Sequence, residues 1–542
     1  MSAGGRRPFR MGRLRLVTVG IVAATLAAAC SGSSGSSSTA TTSPGGTSAP
    51  GTSPASTTTT LVGNPNGILR YGYDFSAQFT NLDPGKSTGN CDAIASYPIY
   101  DTLVHRDLAG NLQPGLATSW TVAGTVLTLH LRPGVTFSDG EAFDATAVMA
   151  GIAHNTKNTQ YPDLGNIKSM SAVDPQTLTI TYADNTVFQL LYSFTGEEGM
   201  MVAPNAIASA STKPVGAGPF VMSAYTPGSV LSLRTNPTYW GKGTYKFGGI
   251  DLTQVGTGPP AVTALKAGSV DMIRFEAESY AGLKADPSVG VAAQPTGAYL
   301  EFQFRFKPPF DNLMVRQAVE DAIDKNQINQ VVQDGLGQVA QEPYQNALGS
   351  FNPAVATLYS FDPAKAHQLL VQSGLPLPVK VDMAIPGGNI TNMERQGAIL
   401  QQELDAVGFA VTIKRILGSD IASGYYIGGQ GNAFAAEKLA EPFPPNLMEG
   451  AYATGQFVAK YSNGERPDIT ALMNQALGAS DAKTIDSLDQ QAVAIVMQQA
   501  LDVPIAFAPQ FIAYNTQAIG GVVHGQTNIC DQPDLTGVIV KK

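Results

Sequence analysis

The 542-residue sequence predicts an α/β protein made of more than one lobe. A chain of this length exceeds what one hydrophobic core normally holds, so two or three lobes are expected. Strand patterns with a period of two alternate with helical patterns along the chain. A strand over 379–385, a helix over 393–407 and a strand over 409–413 form a βαβ unit. Such a unit pairs its two strands in parallel.

The clearest local pattern lies between Tyr97 and Met149. Leucines alternate with other residues over 126–131, as expected of a strand with one face on a core. A Pro133-Gly134 turn follows, and Asp144 is placed to cap a helix because its carboxylate can accept the free N–H groups of the first turn. This order of elements predicts structure but no chemistry.

Further helices are predicted in the second half of the chain. Asp311, Asp324 and Asp362 each precede a helical pattern and are expected to cap it. A last long helix is expected over about 481–499, and a final strand follows Pro504.

Composition argues against nucleic acid as a partner. Charged residues make up 14% of the chain, and the formal net charge is −9. Without the five arginines of the first 15 residues, 28 basic side chains oppose 42 acidic ones, which gives −14. A surface of that sign repels a phosphate backbone.

The amino terminus has the pattern of a secretory signal peptide over residues 1–29. A basic segment precedes the uncharged, mostly apolar run Leu16–Ala29, which is too short to span a bilayer comfortably. Cys30 follows three alanines, and this resembles a lipobox, in which the cysteine is acylated. Ala27 departs from the leucine usual at its position, so cleavage without a lipid is the alternative. Arg6-Arg7 partly matches a twin-arginine export signal, and a general basic segment is the other interpretation.

Residues 30–65 are predicted to form a flexible linker. They are rich in Ser, Thr, Gly, Pro and Ala and carry no charge, so they cannot bury enough apolar area to offset the entropy of ordering. Beyond Cys30 the chain has two cysteines, Cys91 and Cys530. Outside the cytosol such a pair is expected to form a disulfide, with two free thiols as the alternative.

Several motifs in order resemble family 5 of the bacterial extracellular solute-binding proteins. They are Tyr100-Asp101-Thr102-Leu103, the loop 107–110, Pro114–Trp120, Leu131–Gly140, Val215–Phe220, Asn236–Trp240, and the segment Tyr299–Phe310, which resembles the family's crossover strand. The resemblance covers about residues 68–515. It implies a periplasmic binding protein-like fold of type II, in its large three-part variant, with two lobes, a hinge and a ligand cleft between the lobes.

The resemblance also implies how the chain is divided. Lobe one would comprise 66–107, 212–295 and 505–542, with 108–211 as a subdomain inserted on its side. Lobe two would comprise 296–504.

The sequence contains no pattern that indicates a catalytic site. Gly85-Lys86-Ser87 lacks the first glycine of a phosphate loop, and Gly216-x-Gly218 lacks the third glycine of a dinucleotide loop and leads into a strand. Glu197-Glu198 is expected to be a solvated pair in a loop. The histidines are scattered, at His105, His130, His154, His367 and His524. We therefore predict no enzyme activity, no metal site and no cofactor.

The resemblance supplies candidate ligand contacts in both lobes. In lobe one the matching segment is Gln78, Phe79, Thr80 and Asn81, which would pair with a peptide backbone as an added strand. An ordinary core role for Phe79 is the alternative.

In lobe two, peptide receptors of the family carry a tryptophan and an aspartate that meets the ligand's ammonium group. This sequence departs there, since its tryptophans are Trp120 and Trp240. The candidates at the matching region are the aromatic residues Tyr425, Tyr426 and Phe434, and Glu441 in place of the aspartate.

These observations predict a lipid-anchored, monomeric receptor of an ABC importer on the outer face of the cell membrane. It would capture di- or oligopeptides between closing lobes and deliver them to a permease and its ATPase. Alternatives are the same role for a sugar, haem or metal chelate, or a surface adhesion or chaperone lipoprotein. The pairing of a lipid anchor with a flexible linker favours a receptor over a cytosolic enzyme.

Overall fold

A computed structural model describes residues 63–73, 81–87, 93–107, 110–158, 160–256, 258–275, 277–387, 391–417, 420–438, 441, 443–521, 524–525 and 533–541. The predicted signal peptide, most of the predicted linker, and Cys30, Cys91 and Cys530 lie outside these residues. Lipidation and the disulfide therefore stay predictions. Asn64, within the predicted linker, already donates its backbone N–H to the carbonyl of Val540 at 2.7 Å.

Strands are spread along the whole described chain. They are β1 (Ile68–Tyr73), β2 (Val104–Arg106), β3 (Leu112–Pro114), β4 (Ala117–Ala123), β5 (Val126–Leu131), β6 (Ile167–Asp174), β7 (Thr177–Tyr182), β8 (Phe220–Thr226), β9 (Val230–Thr235), β10 (Gly249–Gln254), β11 (Met272–Arg274), β12 (Val289–Phe304), β13 (Gln338–Val339), β14 (Val379–Gly387), β15 (Phe409–Leu417), β16 (Ala433–Lys438), β17 (Asp502–Asn515), β18 (Ile519–Gly521), β19 (His524–Gly525), β20 (Pro533–Asp534) and β21 (Val538–Val540).

Helices are concentrated after residue 310. They are α1 (Ala93–Tyr100), α2 (Ala145–Asn155), α3 (Gln189–Ser193), α4 (Pro259–Lys266), α5 (Tyr280–Lys284), α6 (Leu313–Ala322), α7 (Lys325–Val332), α8 (Pro363–Gln372), α9 (Thr391–Val407), α10 (Pro445–Tyr452), α11 (Phe457–Ser462), α12 (Pro467–Leu477) and α13 (Ala482–Gln498), with a π-helical turn over Ile421–Ile427.

One large mixed sheet runs through the molecule. Its strand order is β15-β14-β16-β12-β17-β11-β1-β10-β9-β8, and β13 pairs with β17 beside this path. The register of β14 and β15 is parallel, from Val379↔Phe409 to Gly387↔Leu417, and α9 connects them. The predicted α/β class and βαβ unit are confirmed.

A separate four-stranded sheet, β4-β5-β7-β6, belongs to the segment 108–211. Leu127, Leu129 and Leu131 are buried, as the alternation predicts. The carboxylate of Asp144 accepts the backbone N–H of Ala147 at 2.9 Å and caps α2, which confirms the predicted cap.

The other predicted caps are confirmed in two of three cases. Asp324 caps α7, and Asp362 caps α8. The prediction for Asp311 is wrong, because Asn312 caps α6 by accepting the N–H of Met314 at 2.9 Å. Asn312 has the extended backbone of a capping residue, and the helix starts one residue later than the pattern indicated.

The crossover strand also starts earlier than expected. The sequence indicated 299–310, whereas β12 runs from Val289 to Phe304. Its second half lies between β16 and β17. The missed first half pairs with β17, from Val289↔Asn515 to Pro295↔Pro509, and no local pattern in the sequence indicates partners so far away along the chain.

Two groups of hydrophobic cores lie along the large sheet. One core joins β1, β8–β10 and the 108–211 segment. Others are built mainly from 296–504, around α6, α9 and β14 and around α10, α12 and α13. This arrangement suits the predicted division into lobe one with its inserted subdomain and lobe two. We keep these names for the ranges given above and treat the boundaries as a proposal.

Three of the motifs that carry the family resemblance meet at Asp101. Its buried carboxylate accepts the indole N–H of Trp240 at 2.9 Å and the hydroxyl of Tyr239 at 3.2 Å. It also contacts Nε2 of His105 at 2.5 Å. The guanidinium of Arg132 lies 3.8 Å from the centre of the Trp240 ring. These motifs therefore lock the inserted subdomain onto lobe one.

Replacing this carboxylate tests the lock. Asp101→Asn keeps the size of the side chain but removes the charge that several donors share, so we expect the free energy of unfolding to fall by about 2 kcal/mol. The measurement is urea denaturation, with Asp139→Asn at an exposed turn as the control. Equal stabilities of the two variants would contradict the role given to Asp101.

Candidate ligand-binding cleft

The two lobes are joined by the long antiparallel pair of β12 and β17. Their register runs from Val289↔Asn515 to Gln303↔Asp502, with a shift between Pro295 and Tyr299. At this shift the hydroxyl of Thr296 donates to the carbonyl of Ala508 at 2.9 Å. A break in ladder pairing is a point where paired strands bend more readily. The bend between lobes is therefore expected here, at the floor of the cleft.

A small cavity lies beside this crossing point. Its volume is about 150 Å³, and it is bordered by β13, β17 and the loop that follows β13. Its walls are mostly amide and aromatic side chains: Gln338, Gln341, Tyr344, Asn346, Phe351 and Phe507.

On lobe one, the segment that follows the predicted ligand strand is firmly anchored. The buried carboxylate of Asp83 accepts the N–H of Gly85 at 3.0 Å and contacts Nε2 of His154 at 2.7 Å. The hydroxyls of Tyr100 and Tyr161 donate to the carbonyls of Leu82 and Pro84 at 2.9 and 2.7 Å. The main chain over 82–85 therefore has a fixed position.

Gly85 has a packing role in this anchor. A Cβ atom there would lie 2.4 Å from Nε2 of His154. The glycine of the sequence Gly85-Lys86-Ser87 thus admits the histidine ring, which explains its presence without a phosphate loop.

Of the predicted lobe-one ligand contacts, only Asn81 is among the described residues; Gln78, Phe79 and Thr80 lie outside them. The side chain of Asn81 turns toward its own backbone. It donates to the carbonyl of Asp83 at 3.0 Å and accepts the N–H of Asp83 at 3.2 Å. These bonds use one of the two amide N–H groups and one of the two oxygen lone pairs, and a ligand contact by this residue stays a prediction.

The predicted aromatic contacts of lobe two lie together in one buried cluster. The rings of Tyr425 and Phe434 stack with centroids 4.9 Å apart, and the Tyr426 hydroxyl donates to Gln303 at 2.9 Å. Arg305 lies with its guanidinium 4.8 Å from the centre of the Tyr425 ring. The three rings are at most 8% exposed. They support β16 in this arrangement, and direct ligand contact by them remains a prediction.

Glu441 is exposed beyond the end of β16. Burial raises the pKa of Tyr344 well above its ordinary value, and the charge of Glu441 adds to this rise, which places the carboxylate near that hydroxyl. Nearby, the hydroxyl of Tyr344 donates to the carbonyl of Pro444 at 2.7 Å, which fixes the start of α10.

The inserted subdomain contains an acidic group that the sequence predicted to be solvated. Glu197 accepts the hydroxyl of Ser87 at 2.8 Å, so it is engaged rather than simply solvated. Asp163 accepts the hydroxyl of Ser193 at 2.9 Å. Burial, with the charges of Asp163 and Glu197, raises the pKa of Glu198 to about 8. The spacing from 163 to 198 gave no signal of this proximity.

A second acidic group is buried in lobe two. The hydroxyl of Ser350 bridges Asp489 at 2.9 Å and Asp486 at 3.1 Å. Burial raises the pKa of Asp489 well above its ordinary range. Burial also raises the pKa of Glu342 to about 8, and the charge of Asp489 adds to this rise. These groups belong to the interior of lobe two.

Two kinds of feature that other functions would need are missing from the described residues. No group of three or more His, Cys, Asp or Glu side chains in the described part of the chain has the arrangement of a metal site. Among the same residues, none of the helices combines the length and the apolar character needed to cross a bilayer.

Comparison with known proteins decides the family. The model of "Bacterial extracellular solute-binding proteins, family 5 Middle" matches residues 111–453, well over half of the chain. The chain belongs to this family. As a member of family 5, it is an extracytoplasmic solute-binding receptor of the kind that serves ABC importers, and proteins of this family are transport receptors rather than enzymes.

Relatives within family 5 differ in their ligands. Heme-binding protein A of Haemophilus influenzae is 27% identical over 480 residues, covering 79% of this chain and 85% of that protein. The glutathione-binding protein GsiB of Shigella dysenteriae is 25% identical over 483 residues, covering 82% and 90%.

Solved structures of other binding proteins confirm the type II periplasmic binding fold. HbpA2 of Haemophilus parasuis superposes with a TM-score of 0.78 at 22% identity, covering 88% of this chain and all of that one. The unliganded open form of the murein tripeptide binding protein MppA gives 0.78 at 18% identity, covering 89% and 98%.

The buried carboxylate of Glu342 predicts a pH dependence of stability. Its pKa is about 8 in the folded protein and near 4.5 when exposed. The unfolded chain therefore releases this proton first, and the group lowers stability as the pH rises from about 4.5 to 8. Glu342→Gln removes this loss.

We expect Glu342→Gln to raise the free energy of unfolding by up to roughly 5 kcal/mol at pH 9 and to change it little at pH 4. Urea denaturation at both pH values measures this, with Glu465→Gln at an exposed position as the control. A gain of equal size at both pH values would show that Glu342 does not titrate as described.

Proposed function

We propose that this family 5 receptor captures short peptides between its lobes and delivers them to a membrane permease and its ATPase. The observation that supports the proposal is the anchored main chain over 82–85, because it directly follows the predicted ligand strand 78–81. An extended segment at 78–81 would offer main-chain hydrogen bonds to another extended chain and would need little sequence preference in its partner. The likeness to a glutathione-binding protein supports a peptide of a few residues.

In this proposal Glu441 meets the ammonium group of the peptide from lobe two. It is an exposed carboxylate three residues after the end of β16, which is the third strand in the order of the large sheet. Contacts from both lobes are needed for capture, because a ligand shifts an equilibrium between two arrangements only through its difference in affinity for them.

The receptor would act as a monomer held at the outer face of the membrane by a lipid on Cys30. The linker that begins there would let the folded body reach a permease while remaining anchored.

A second candidate ligand is haem, favoured by the relative with the highest identity given above, the heme-binding protein A. Sugars and metal chelates remain the further alternatives, and an adhesion or chaperone role is the last.

Isothermal titration calorimetry separates these ligands. Tripeptides with free termini, hemin, a nickel chelate and an oligosaccharide are titrated in turn into the protein. We expect micromolar or tighter affinity for at least one peptide and none for the other three. Saturable binding of hemin without any peptide binding would overturn the peptide proposal and leave the receptor role intact.

The role of Glu441 is tested by removing its charge. Glu441→Gln should weaken the binding of a peptide with a free amino terminus about tenfold, or about 1.4 kcal/mol. It should leave the affinity for the same peptide with an acetylated amino terminus unchanged. Glu465→Gln, at another exposed position of lobe two, is the matched control. Equal weakening for both peptide forms would assign the ammonium contact elsewhere.

A further inference from the structure

The two lobes touch at a place well separated in sequence from β12 and β17. Three buried side chains from the range 296–504 belong to the hydrophobic core of lobe one and its inserted subdomain, as judged from the described residues. We call the contact between these side chains and the segment 185–193 the clasp. Its members are Val187, Phe188 and Tyr192 on the inserted subdomain and Phe443, Leu477 and Ile485 on lobe two.

The contacts of the clasp are direct. The rings of Tyr192 and Phe443 pack with centroids 4.8 Å apart at an interplanar angle of 43°. Next to them the amide of Gln189 donates to Asn446 at 3.5 Å. All six members of the clasp are at most 6% exposed. The packing is therefore closed to water on both sides.

The backbone fit near the clasp is also close. Helix α12 packs against the turn at 185–188. A Cβ atom on Gly478, just beyond α12, would lie 2.2 Å from the side-chain nitrogen of Asn185. A larger residue at 478 would force these two elements apart.

The segment 185–193 is attached to lobe one. Its subdomain is tied there by backbone hydrogen bonds from the N–H of Leu103 to the carbonyl of Gly199 at 3.0 Å and from the N–H of Ser138 to the carbonyl of Gly216 at 2.9 Å. The Asp101 cluster adds side-chain contacts between the same parts. Any rotation of lobe two about the β12–β17 pair must therefore change the clasp.

The other side of the clasp is attached to lobe two. Leu447 and Met448 of α10 pack in the core that α12 and α13 share. Tyr344 holds Pro444, next to Phe443, from the loop that follows β13. The clasp thus connects two bodies that each have their own core.

We propose that the clasp is a releasable apolar lock that holds the two lobes at the observed angle and must open when that angle changes. This inference rests on the proposed function in one respect, namely that ligand enters between these two lobes. Six apolar side chains form a small contact compared with the long ladder of β12 and β17. When the lobes move, the side chains of the clasp therefore separate while the strand pairing is kept.

Hydrogen exchange measured by mass spectrometry on the full, unliganded chain tests the lock. Phe443→Ala removes the ring at its centre, and Phe361→Ala is the matched control, because Phe361 lies in the same lobe and is 49% exposed. We expect amide exchange in 185–193, on the opposite side of the contact, to become at least about tenfold faster in Phe443→Ala only. Exchange in α9 serves as an internal reference for the fold of lobe two and should not change.

A substitution on the opposite side of the clasp controls for local effects of Phe443→Ala. Tyr192→Ala should speed exchange in α10, and small-angle scattering of both variants should show a radius of gyration that differs from that of the parent protein. Unchanged exchange across the contact in both variants would overturn the proposal. Faster exchange in α9 would show that a variant is misfolded. In that case Phe443→Leu, which keeps a smaller apolar side chain in the contact, replaces Phe443→Ala. We then expect an intermediate exchange rate in 185–193.

These readouts need no ligand. Failure of every peptide to bind would overturn the proposed function and leave the clasp standing, while unchanged exchange would remove the clasp and leave the peptide proposal standing.

Discussion

The paired strands β12 and β17 are the constraint on which the architecture depends. Each crosses from one lobe to the other, and they remain hydrogen-bonded to one another on the way. Strands on either side of this pair extend the same sheet into both lobes. The hydrogen-bonded pair connects the lobes. The interruption of its ladder between Pro295 and Tyr299 gives it a place at which to bend.

Around this axis the motifs of the family serve structure rather than chemistry. Asp101, Arg132 and Trp240 come from three motifs and form one interlocked cluster. Asp83 and His154 fix the chain at the edge of the predicted ligand strand. A receptor that binds its ligand without reacting with it needs fixed surfaces on both lobes more than it needs reactive groups. These clusters supply such surfaces on lobe one.

Local patterns in the sequence predicted the elements whose cause is local. The alternation of β5, the caps at Asp144, Asp324 and Asp362, and the βαβ unit all follow from neighbours within a few residues. The start of β12 was missed because its pairing partners lie up to about 226 residues away in β17. The cap at Asn312 differs from the expected one by a single residue, which is the scale on which helix ends are set by backbone geometry.

The candidate site follows less directly from the sequence than the fold does, for a physical reason. Tyr425, Tyr426 and Phe434 have the composition of an aromatic binding wall, yet burial and stacking are decided by what packs on them. Likewise, Asp163 and Glu198 influence one another only because the inserted subdomain folds them together. Sequence spacing carries no information on either arrangement.

We infer that the two separately packed lobes trap a small solute without altering it. Native mass spectrometry of the protein, incubated with a low-molecular-weight extract and then desalted, tests this most directly. The account predicts one solute of a few hundred daltons per chain, recovered with unchanged mass when the protein is denatured. Identical chain masses before and after incubation, or recovery of a cleaved or modified solute, would contradict it.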